Sequence, residues 1–350
     1  MKPHFYWFAP TNGDGRYLGL KQPEREPTFE YLVDIAQTAE KAGFEGILIP
    51  TGIPYLDSWL VGSAIVHQTK HIKPLIAFRP GFVSPTVASK MAATLDQFSK
   101  GRVLVNVVTG GSEKELAQDG DYLSHQQRYE RTDEFLTVVK ETWRGESFHH
   151  DGEFFNVTEG KLIPTLYQEK GIPIYFGGSS DVAKEIAAKA ADVYLQWGEP
   201  IASIQEQIQD VERRAKKYNR QLEYGIRIHI VVRDTEQEAW DAAYNIISKI
   251  ENPVQSNLNR YYETVDSVAQ KRMNVLTAEN ERFDQYSWAG IGKIRKGAGT
   301  AIVGTPEQVK AGLQAYIDIG VRHFILSGFP HKEEAEIFGE KVLPLFEKME

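Results

Sequence analysis

The sequence predicts a (β/α)8 barrel with insertions, organised as one domain over residues 1–350, and three observations support this prediction. Short apolar runs alternate with helix-period segments about eight times along the chain, which is typical of a parallel sheet covered by helices. The length of 350 residues leaves room for insertions, because such a barrel needs roughly 250 residues. No GxGxxG motif follows the first predicted strand, which disfavours the alternative, a doubly wound open sheet that binds a dinucleotide.

The predicted barrel strands are short runs rich in β-branched and aromatic residues. In chain order they span 5–9, 46–50, 74–78, 102–108, 172–178, 192–197, 225–232 and 323–328. The first predicted helix, 29–43, has apolar residues at helical spacing and ends at Gly43, a plausible stop. The same periodicity predicts further helices over 58–69, 86–101, 129–143, 182–190, 203–218, 235–250 and 306–320.

Two stretches, 144–171 and 251–300, are longer than ordinary loops. The second is the largest insertion and precedes the last helix–strand unit. It begins with a partly helical segment and ends in the glycine-rich run "GIGKIRKGAGT". Because long insertions are often lids or binding loops, we expect 251–300 to be a mobile lid.

Composition excludes several classes of function. The net charge of −8 disfavours a general nucleic-acid binder, and the lack of cysteine excludes disulfides, thiolate catalysis and Cys-ligated metals. No apolar run approaches the roughly 18 residues of a membrane span, and the first residues lack the pattern of a signal peptide. His67 and His71 are four residues apart, but no third ligand accompanies them, so no metal is expected. We expect a cytoplasmic protein that binds neither nucleic acid nor membrane.

The predicted strand 225–232, "GIRIHIVV", carries the clearest sign of a site. Successive side chains of a strand point to opposite faces, so three isoleucines share one face while Arg227 and His229 share the other. In a barrel the isoleucines suit the outer face under the helices. The inner face would then hold a buried guanidinium, which is costly unless it is paired or binds something. This predicts an anion site with a potential proton donor; the alternative is a solvated face of an antiparallel strand.

Other strand ends carry polar or flexible residues at the same edge of the predicted barrel. Asn106 and Thr109 lie at the end of the fourth strand, before two glycines. "GGSS", residues 177–180, leads directly from the fifth strand into a helix and suits phosphate, although a plain helix cap would also explain it. Trp197 ends the sixth strand and suits either a site or the core.

Long motifs then show a resemblance that covers essentially the whole chain. The sequence closely resembles the flavin-dependent alkanesulfonate monooxygenases of the bacterial luciferase-like superfamily. The motifs are "WFAPTNGDGRYLG" (7–19), "GILIPTGIPYLDSWL" (46–60), "SPTVASKMAATLDQFSKGRVLVNVVTGG" (84–111), "HQQRYERTDEF" (125–135), "YFGGSSDVA" (175–183), "WGEP" (197–200), "GIRIHIVVRDTEQEAW" (225–240), "GAGTAIVG" (297–304) and "SGFPHKEEA" (327–335).

The resemblance implies a TIM barrel, reduced FMN and O₂ as co-substrates, and a separate NAD(P)H-dependent flavin reductase as partner. It also implies a homodimer or homotetramer. The reaction would cleave the C–S bond of an alkanesulfonate or related organosulfur compound and release sulfite and an aldehyde, as part of sulfur metabolism.

The resemblance also assigns residues to roles at matching positions. Cofactor-binding residues would be Tyr129, Gly178, Ser179 and Ser180 at the phosphate, with Asn106 and Thr109 near the isoalloxazine ring. Arg227, Arg295 and Trp197 would bind the sulfonate and the oxygenated flavin, and His229 would hydrogen-bond or transfer a proton. Arg295 lies in the glycine-rich insertion, so it would arrive when that segment closes and excludes water.

Three positions depart from the family pattern. Tyr55 stands where the family has cysteine, Phe329 where it has tyrosine, and Asn12 where it has histidine. We expect all three to line the substrate pocket, and the two aromatic residues to narrow it. The departures keep two alternatives open, which are a luciferase-like oxidoreductase using FMN or the deazaflavin F420 on another substrate, and a non-catalytic flavin-binding homologue. The retained "WGEP" and "RYE" favour FMN over F420.

Overall fold

A computed structural model describes residues 2–279 and 281–347, and its centre is a closed barrel of eight parallel strands. Each strand pairs with the next along the chain, and the last pairs with the first, so the barrel has no open edge. This confirms the predicted TIM barrel. The strands are β1 (His4–Phe8), β2 (Gly46–Ile49), β3 (Lys73–Phe78), β4 (Leu104–Val107), β5 (Ile174–Gly177), β6 (Val193–Trp197), β7 (Glu223–Val232) and β8 (Val321–Ser327).

The helices surround this barrel, and each predicted helix is present with ends shifted by a few residues. They are α1 (Phe29–Lys41), α2 (Ser58–Gln68), α3 (Pro85–Ser99), α4 (Glu113–Gln118), α5 (His125–Trp143), α6 (Asp181–Ala190), α7 (Ile201–Lys216), α8 (Glu236–Ile246), α9 (Asn252–Thr264), α10 (Val268–Glu279), α11 (Pro306–Asp318), α12 (His331–Lys341) and α13 (Pro344–Glu347). The sequence did not predict α4, α12 or α13. Within the described residues, none of the helices has the length and apolarity needed to cross a membrane.

The alternation of faces along β7 is as the sequence predicted. Ile226, Ile228 and Ile230 are fully buried in the main core between the barrel and its helices. Arg227 and His229, on the opposite parity, point into the barrel and are also buried. The antiparallel, solvated alternative for this strand is therefore wrong, because β7 pairs in parallel with both β6 and β8.

The interior of the barrel is filled at its amino-terminal end. Tyr175 lies 2.9 Å from both the Tyr6 hydroxyl and Nδ1 of His323, and His323 Nε2 lies 2.5 Å from Glu223. Leu75 and Leu104 pack in the same inner layer. These side chains close the lower half, so an internal cavity can exist only at the carboxyl ends of the strands, where barrel enzymes place their sites.

The first long insertion contains an antiparallel hairpin of Phe148–Asp151 and Asn156–Gly160. Glu134 of α5 holds it by accepting hydrogen bonds from the backbone N–H groups of Phe154 and Phe155, at 3.0 and 2.7 Å. The hairpin therefore belongs to the outer layer beside α5.

The second insertion is anchored to the strand that carries Arg227 and His229. After α9 and α10 it forms a 3-10 turn at Gly290–Lys293 and then a strand, Ala301–Gly304, that the sequence did not predict. This outer strand pairs in parallel with the second half of β7, opposite residues 229–232, beyond the point where β6 ends. Main-chain hydrogen bonds thus fix the end of the insertion next to the barrel mouth.

Candidate active site

A cavity of about 320 Å³ opens at the carboxyl ends of the strands, a size typical of small-molecule sites. Barrel strands, their following loops and the second insertion all contribute to its wall. The predicted site residues that line it are Tyr55, Asn106, Thr109, Tyr129, Gly178, Ser179, Ser180, Trp197, Arg227 and Arg295. Side chains far apart in sequence therefore converge on one cavity, as expected for a site at the carboxyl face of a barrel.

Arg227 lies at the floor of the cavity and has no carboxylate partner among the described residues. Its Nη2 donates to Ser327 Oγ at 2.7 Å, and its Nη1 donates to the carbonyl of Ile228 at 3.0 Å. The Phe8 ring lies beneath the guanidinium, 4.6 Å from its centre. Burial, together with the nearby Arg295 charge, holds the pKa of Arg227 well below its ordinary value. A buried cation with neutral partners only is a strong attractor for a ligand anion.

His229 is fully buried beside Arg227, and its neighbours define its tautomer. Nε2 lies 3.0 Å from the carbonyl oxygen of Ala298, which can only accept, so Nε2 carries the proton. Nδ1, 2.8 Å from Ser327 Oγ, then accepts from the serine hydroxyl. Burial, followed by the charges of Arg227 and Arg295, lowers the pKa of His229 well below its usual value. The imidazole is therefore neutral at neutral pH.

Arg295 reaches the same point from the insertion. Its Nη1 lies 3.3 Å from His229 Nε2, but it cannot donate to a nitrogen that already carries a proton, so its N–H groups face the cavity. The Phe8 ring lies 5.7 Å from this guanidinium as well. Two cations thus lie near one aromatic ring, and none of the described residues places a carboxylate in an ion pair with either of them. An anion that binds between or beside the two guanidinium groups would reduce their mutual repulsion and offset the electrostatic cost of burying them.

The turn after β5, Gly177–Ser180, forms the opposite end of the cavity. Ser180 caps α6 by accepting from the Ala183 N–H at 3.3 Å, and burial raises the pKa of the neighbouring Tyr129 hydroxyl. A Cβ on Gly178 would lie 2.6 Å from the Ala183 side chain, at a φ of +154°. Only glycine lets the chain pass this close to the helix.

Two buried amides along the cavity wall lack hydrogen-bond partners among the described residues. They are Asn106, whose Oδ1 is unpartnered, and Gln196, whose Oε1 and Nε2 are both unpartnered. Buried polar atoms in native proteins are usually satisfied, so such atoms beside a cavity indicate a polar ligand. The sequence did not single out Gln196; its position one residue before Trp197 at a strand end was the available signal.

A few polar contacts hold the insertion over the mouth of the cavity. Lys296 Nζ lies 3.5 Å from Glu115 of α4 and 4.9 Å from the centre of the Tyr261 ring. Glu115 also pairs with Arg79 at 2.9 Å. Although burial opposes ionisation, Lys296 and Arg79 lower the pKa of Glu115. The contact between Lys296 and Glu115 joins the insertion to the barrel side of the mouth.

We expect limited proteolysis to cut first within residues 251–300 when no ligand is present. The part of the insertion around Lys296 is held over the mouth by the partly exposed Lys296–Glu115 pair, which contributes only about 0–1 kcal/mol. The more buried Arg272–Glu199 pair keeps α10 against the barrel, so we expect the first cuts near Lys296. A flavin and an anionic substrate should protect it. The hairpin at 144–171 is a built-in control, because none of its residues lines the cavity and its cutting should not respond to ligand. Equal cutting of 251–300 with and without ligands would contradict a lid.

Two of the three residues that depart from the family pattern lie away from the cavity wall. Asn12 is exposed to solvent, and Phe329 is buried against the His229 ring with their centres 5.2 Å apart. Phe329 packs into a separate apolar cluster behind β7. Of the three, Tyr55 alone is in the wall, so the expectation that all line the pocket is wrong for Asn12 and Phe329.

A buried Asp–His pair, which the sequence did not reveal, lies behind Phe329. Asp14 accepts from Nδ1 and from the backbone N–H of His331, each at 2.8 Å, and from the Tyr31 hydroxyl at 2.5 Å. Burial disfavours the carboxylate, but His331 and the Tyr31 hydrogen bond outweigh it and lower the pKa of Asp14. This pair ties the loop after β1 to α12 beneath the site.

His67 and His71 do not share a helix, so their spacing of four residues does not place them on one helical face. His67 lies in the last turn of α2, while His71 follows the end of that helix. Within the ranges 2–279 and 281–347, no three His, Cys, Asp or Glu side chains are arranged to hold a metal ion.

A family model described as luciferase-like monooxygenase matches residues 4–323. A solved riboflavin lyase with modified FMN and riboflavin superposes with a TM-score of 0.85 at 18% identity, covering 99% of this chain and 92% of that one. A long-chain alkane monooxygenase gives 0.75 at 22%, covering 99% and 92%. The EDTA monooxygenase from Chelativorans sp. BNC1 gives 0.75 at 16%, covering 99% and 94%.

Proposed function

The chain belongs to the luciferase-like monooxygenase family, and from this premise we propose that it is a monooxygenase using reduced FMN and O₂. The flavin would be supplied by a separate NAD(P)H-dependent reductase. We further propose that the substrate is a small organic anion, an alkanesulfonate or related organosulfur compound, whose C–S bond is cleaved to sulfite and an aldehyde. A cytoplasmic homodimer or homotetramer remains our expectation.

The proposal of an anionic substrate rests on the guanidinium groups of Arg227 and Arg295, which both lie near the Phe8 ring. Neither forms an ion pair with a carboxylate of the described residues. A planar guanidinium can bind two oxygens of a sulfonate side by side, as it does for phosphate or carboxylate. Arg227 is 5% exposed, so the anion would be desolvated on binding and its attraction to the two cations strengthened. A neutral substrate would leave this repulsion unrelieved.

The residues that line the cavity also support a flavin-binding site. Gly178 lets the turn pack closely against α6, where a Cβ would collide with the Ala183 side chain. The cavity wall at this turn carries the hydroxyl groups that would hold the phosphate, which are those of Ser179, Ser180 and Tyr129. The unpartnered Asn106 amide oxygen, with Thr109 beside it, would accept a hydrogen bond from the ring system. Reduced flavin supplies the electrons that activate O₂.

Side chains of this protein would then orient the substrate and hold a proton close to the site. Arg227 and Arg295 hold the anion over the floor of the cavity. Neutral His229 keeps a proton on Nε2, directed at the Ala298 carbonyl of the insertion. His229 does not itself line the cavity, so it would act through Ser327, the hydroxyl that it shares with Arg227. Closure of the insertion would exclude water from the reacting groups.

Replacing Ser180 by aspartate should weaken FMN binding at least about tenfold, because the new carboxylate repels the phosphate at short range. Asp is itself a good helix N-cap, so α6 should keep its stability. Fluorescence titration with FMN measures the change. Thr235→Asp, at the cap of α8 and outside the cavity wall, is the matched control and should bind FMN normally. Unaltered affinity in Ser180→Asp would refute this placement of the phosphate.

The function itself is tested by supplying FMNH₂ and following O₂ consumption and sulfite release over a panel of sulfonates of different chain length. We expect sulfite from at least one sulfonate. Because the Tyr55 side chain lies in the cavity wall and narrows the cavity, we expect short or compact sulfonates to be preferred. Flavin binding without sulfite from any sulfonate would instead favour a luciferase-like oxidoreductase with another substrate. If the protein bound no flavin at all, the proposed function would be wrong.

A further inference from the structure

We propose that Arg272, on helix α10 of the insertion, is a positioning residue that completes the phosphate site and makes the enzyme select FMN over unphosphorylated flavin. The inference rests on the proposed flavin-dependent function and adds a residue and a cofactor preference to it. Its consequence is that the insertion is held in place by the cofactor's phosphate.

Arg272 joins three parts of the structure through its guanidinium. Nε donates to Glu199 Oε2 at 2.9 Å, and Nη2 donates to Glu199 Oε1 at 2.8 Å. The same Nη2 lies 2.9 Å from Ser179 Oγ and 3.0 Å from Oε1 of Gln207 in α7. One side chain of the insertion thus reaches the Gly177–Ser180 turn directly.

The hydrogen bonds of Arg272 leave donor capacity for a ligand. Nη2 has two hydrogens but three oxygen partners, so the Ser179 hydroxyl can turn to a ligand without costing Arg272 its pairing. Nη1 has two more hydrogens and makes no hydrogen bond within the described part of the chain. Arg272 lines a neighbouring pocket with Glu199 and not the cavity itself, but it contacts Ser179, which does line the cavity. A guanidinium directly behind a hydroxyl-lined turn favours a phosphate dianion at that turn.

Charge explains why a cation is needed at this point. Glu199 is 3% exposed, and its carboxylate lies next to Ser179 through the shared Arg272 nitrogen. Without Arg272, this buried carboxylate would be unpaired and would repel a phosphate at the turn. Arg272 therefore neutralises a local charge that would oppose the phosphate.

Gln196 gives independent evidence for a polar ligand on this wall of the cavity. It is 4% exposed, both of its amide atoms lack partners among the described residues, and it lines the same cavity as Ser179 and Ser180. Neither the N-cap of α6 nor the Arg272–Glu199 pair provides a partner for the two amide atoms of Gln196.

The test compares FMN with riboflavin, which differ only in the phosphate. Dissociation constants for both are measured by fluorescence titration with the wild type, with Arg272→Gln and with Arg272→Lys. We expect the wild type to prefer FMN. Arg272→Gln should weaken FMN binding about 10- to 100-fold and change riboflavin binding less than about threefold. Arg272→Lys, which keeps the charge but not the fork, should restore part of the preference.

A second variant separates ligand binding from folding. Glu199→Gln with Arg272→Gln removes both charges, so no unpaired carboxylate remains, and its thermal unfolding should be close to that of the wild type while the FMN preference stays reduced. In the wild type, FMN should also protect α10 from protease, and riboflavin should not. An unchanged FMN-to-riboflavin ratio in Arg272→Gln or in the double variant overturns the inference. A wild type that binds neither flavin overturns the proposed function instead.

Discussion

Replacing Arg227 by methionine should reduce kcat/KM for an anionic substrate by about 10²–10³-fold, because the variant loses a desolvated cation aimed at the reacting anion. The same change should leave the protein at least as stable as the wild type. Burying an unpaired guanidinium is costly, and exchanging buried ions for apolar side chains of similar volume is often neutral or stabilises by about 1–4 kcal/mol. Activity and stability should therefore move in opposite directions.

Steady-state kinetics and urea unfolding measure the two effects. Arg102→Met is the matched control, since Arg102 donates to the carbonyl oxygens of Ile72 and Val66 at 2.8 and 2.9 Å and does not line the cavity. Arg102 is only partly buried and makes more hydrogen bonds than Arg227, so its removal relieves less desolvation and leaves more acceptors without a donor. This control should therefore lose stability while keeping activity per folded molecule. If Arg227→Met lost stability and kept its kcat/KM, Arg227 would be a structural residue.

Replacing Asp14 by alanine should cost about 3–5 kcal/mol of unfolding free energy, the range found when one partner of a buried pair is removed. The Asp14 side chain is completely buried and accepts hydrogen bonds from His331, Tyr31 and the Gly15 N–H. All of these donors would lose their acceptor. The variant should also affect the site, because α12 and the His229–Phe329 contact rest on this pair.

The effect of Asp14 should depend on pH with a defined sign. The fold lowers the pKa of Asp14, so the ionised carboxylate contributes stability at all pH above its unfolded pKa of about 3.9. That contribution is lost as the pH falls through the lower folded value. The difference between wild type and Asp14→Ala in urea unfolding should thus be full at pH 7 and shrink below about pH 4.

A surface pair provides the comparison for this prediction. Asp34 contacts Lys332 at 2.6 Å, but its side chain is 45% exposed, so Asp34→Ala should cost less than about 1 kcal/mol. Similar losses in the two variants would show that burial of the Asp14–His331 pair does not determine its contribution.

Much of the fold followed from local pattern alone. Strand parity depends only on the backbone, so "GIRIHIVV" by itself put Arg227 and His229 on one face and three isoleucines on the other. Because parallel strands gather their carboxyl ends at one edge, Asn106, the Gly177–Ser180 turn and Trp197 were expected to meet, and all of them line one cavity.

Local pattern failed wherever a contact depends on how the barrel closes and where the insertion lies. Phe329 follows a strand end like the residues of the cavity wall, yet it packs behind His229. The outer strand Ala301–Gly304 exists because β6 ends and leaves the second half of β7 without a neighbour on that side.

The chain's sequence by itself thus determined which side chains share a face and which loops end at the barrel mouth. Only the tertiary structure decided that Ser327 links Arg227 to His229, and that Arg272 lies on Ser179, 93 residues away in the chain. The physical reason is that periodicity fixes the direction of a side chain along its own element, whereas its partner is set by the closure and packing of elements distant in sequence.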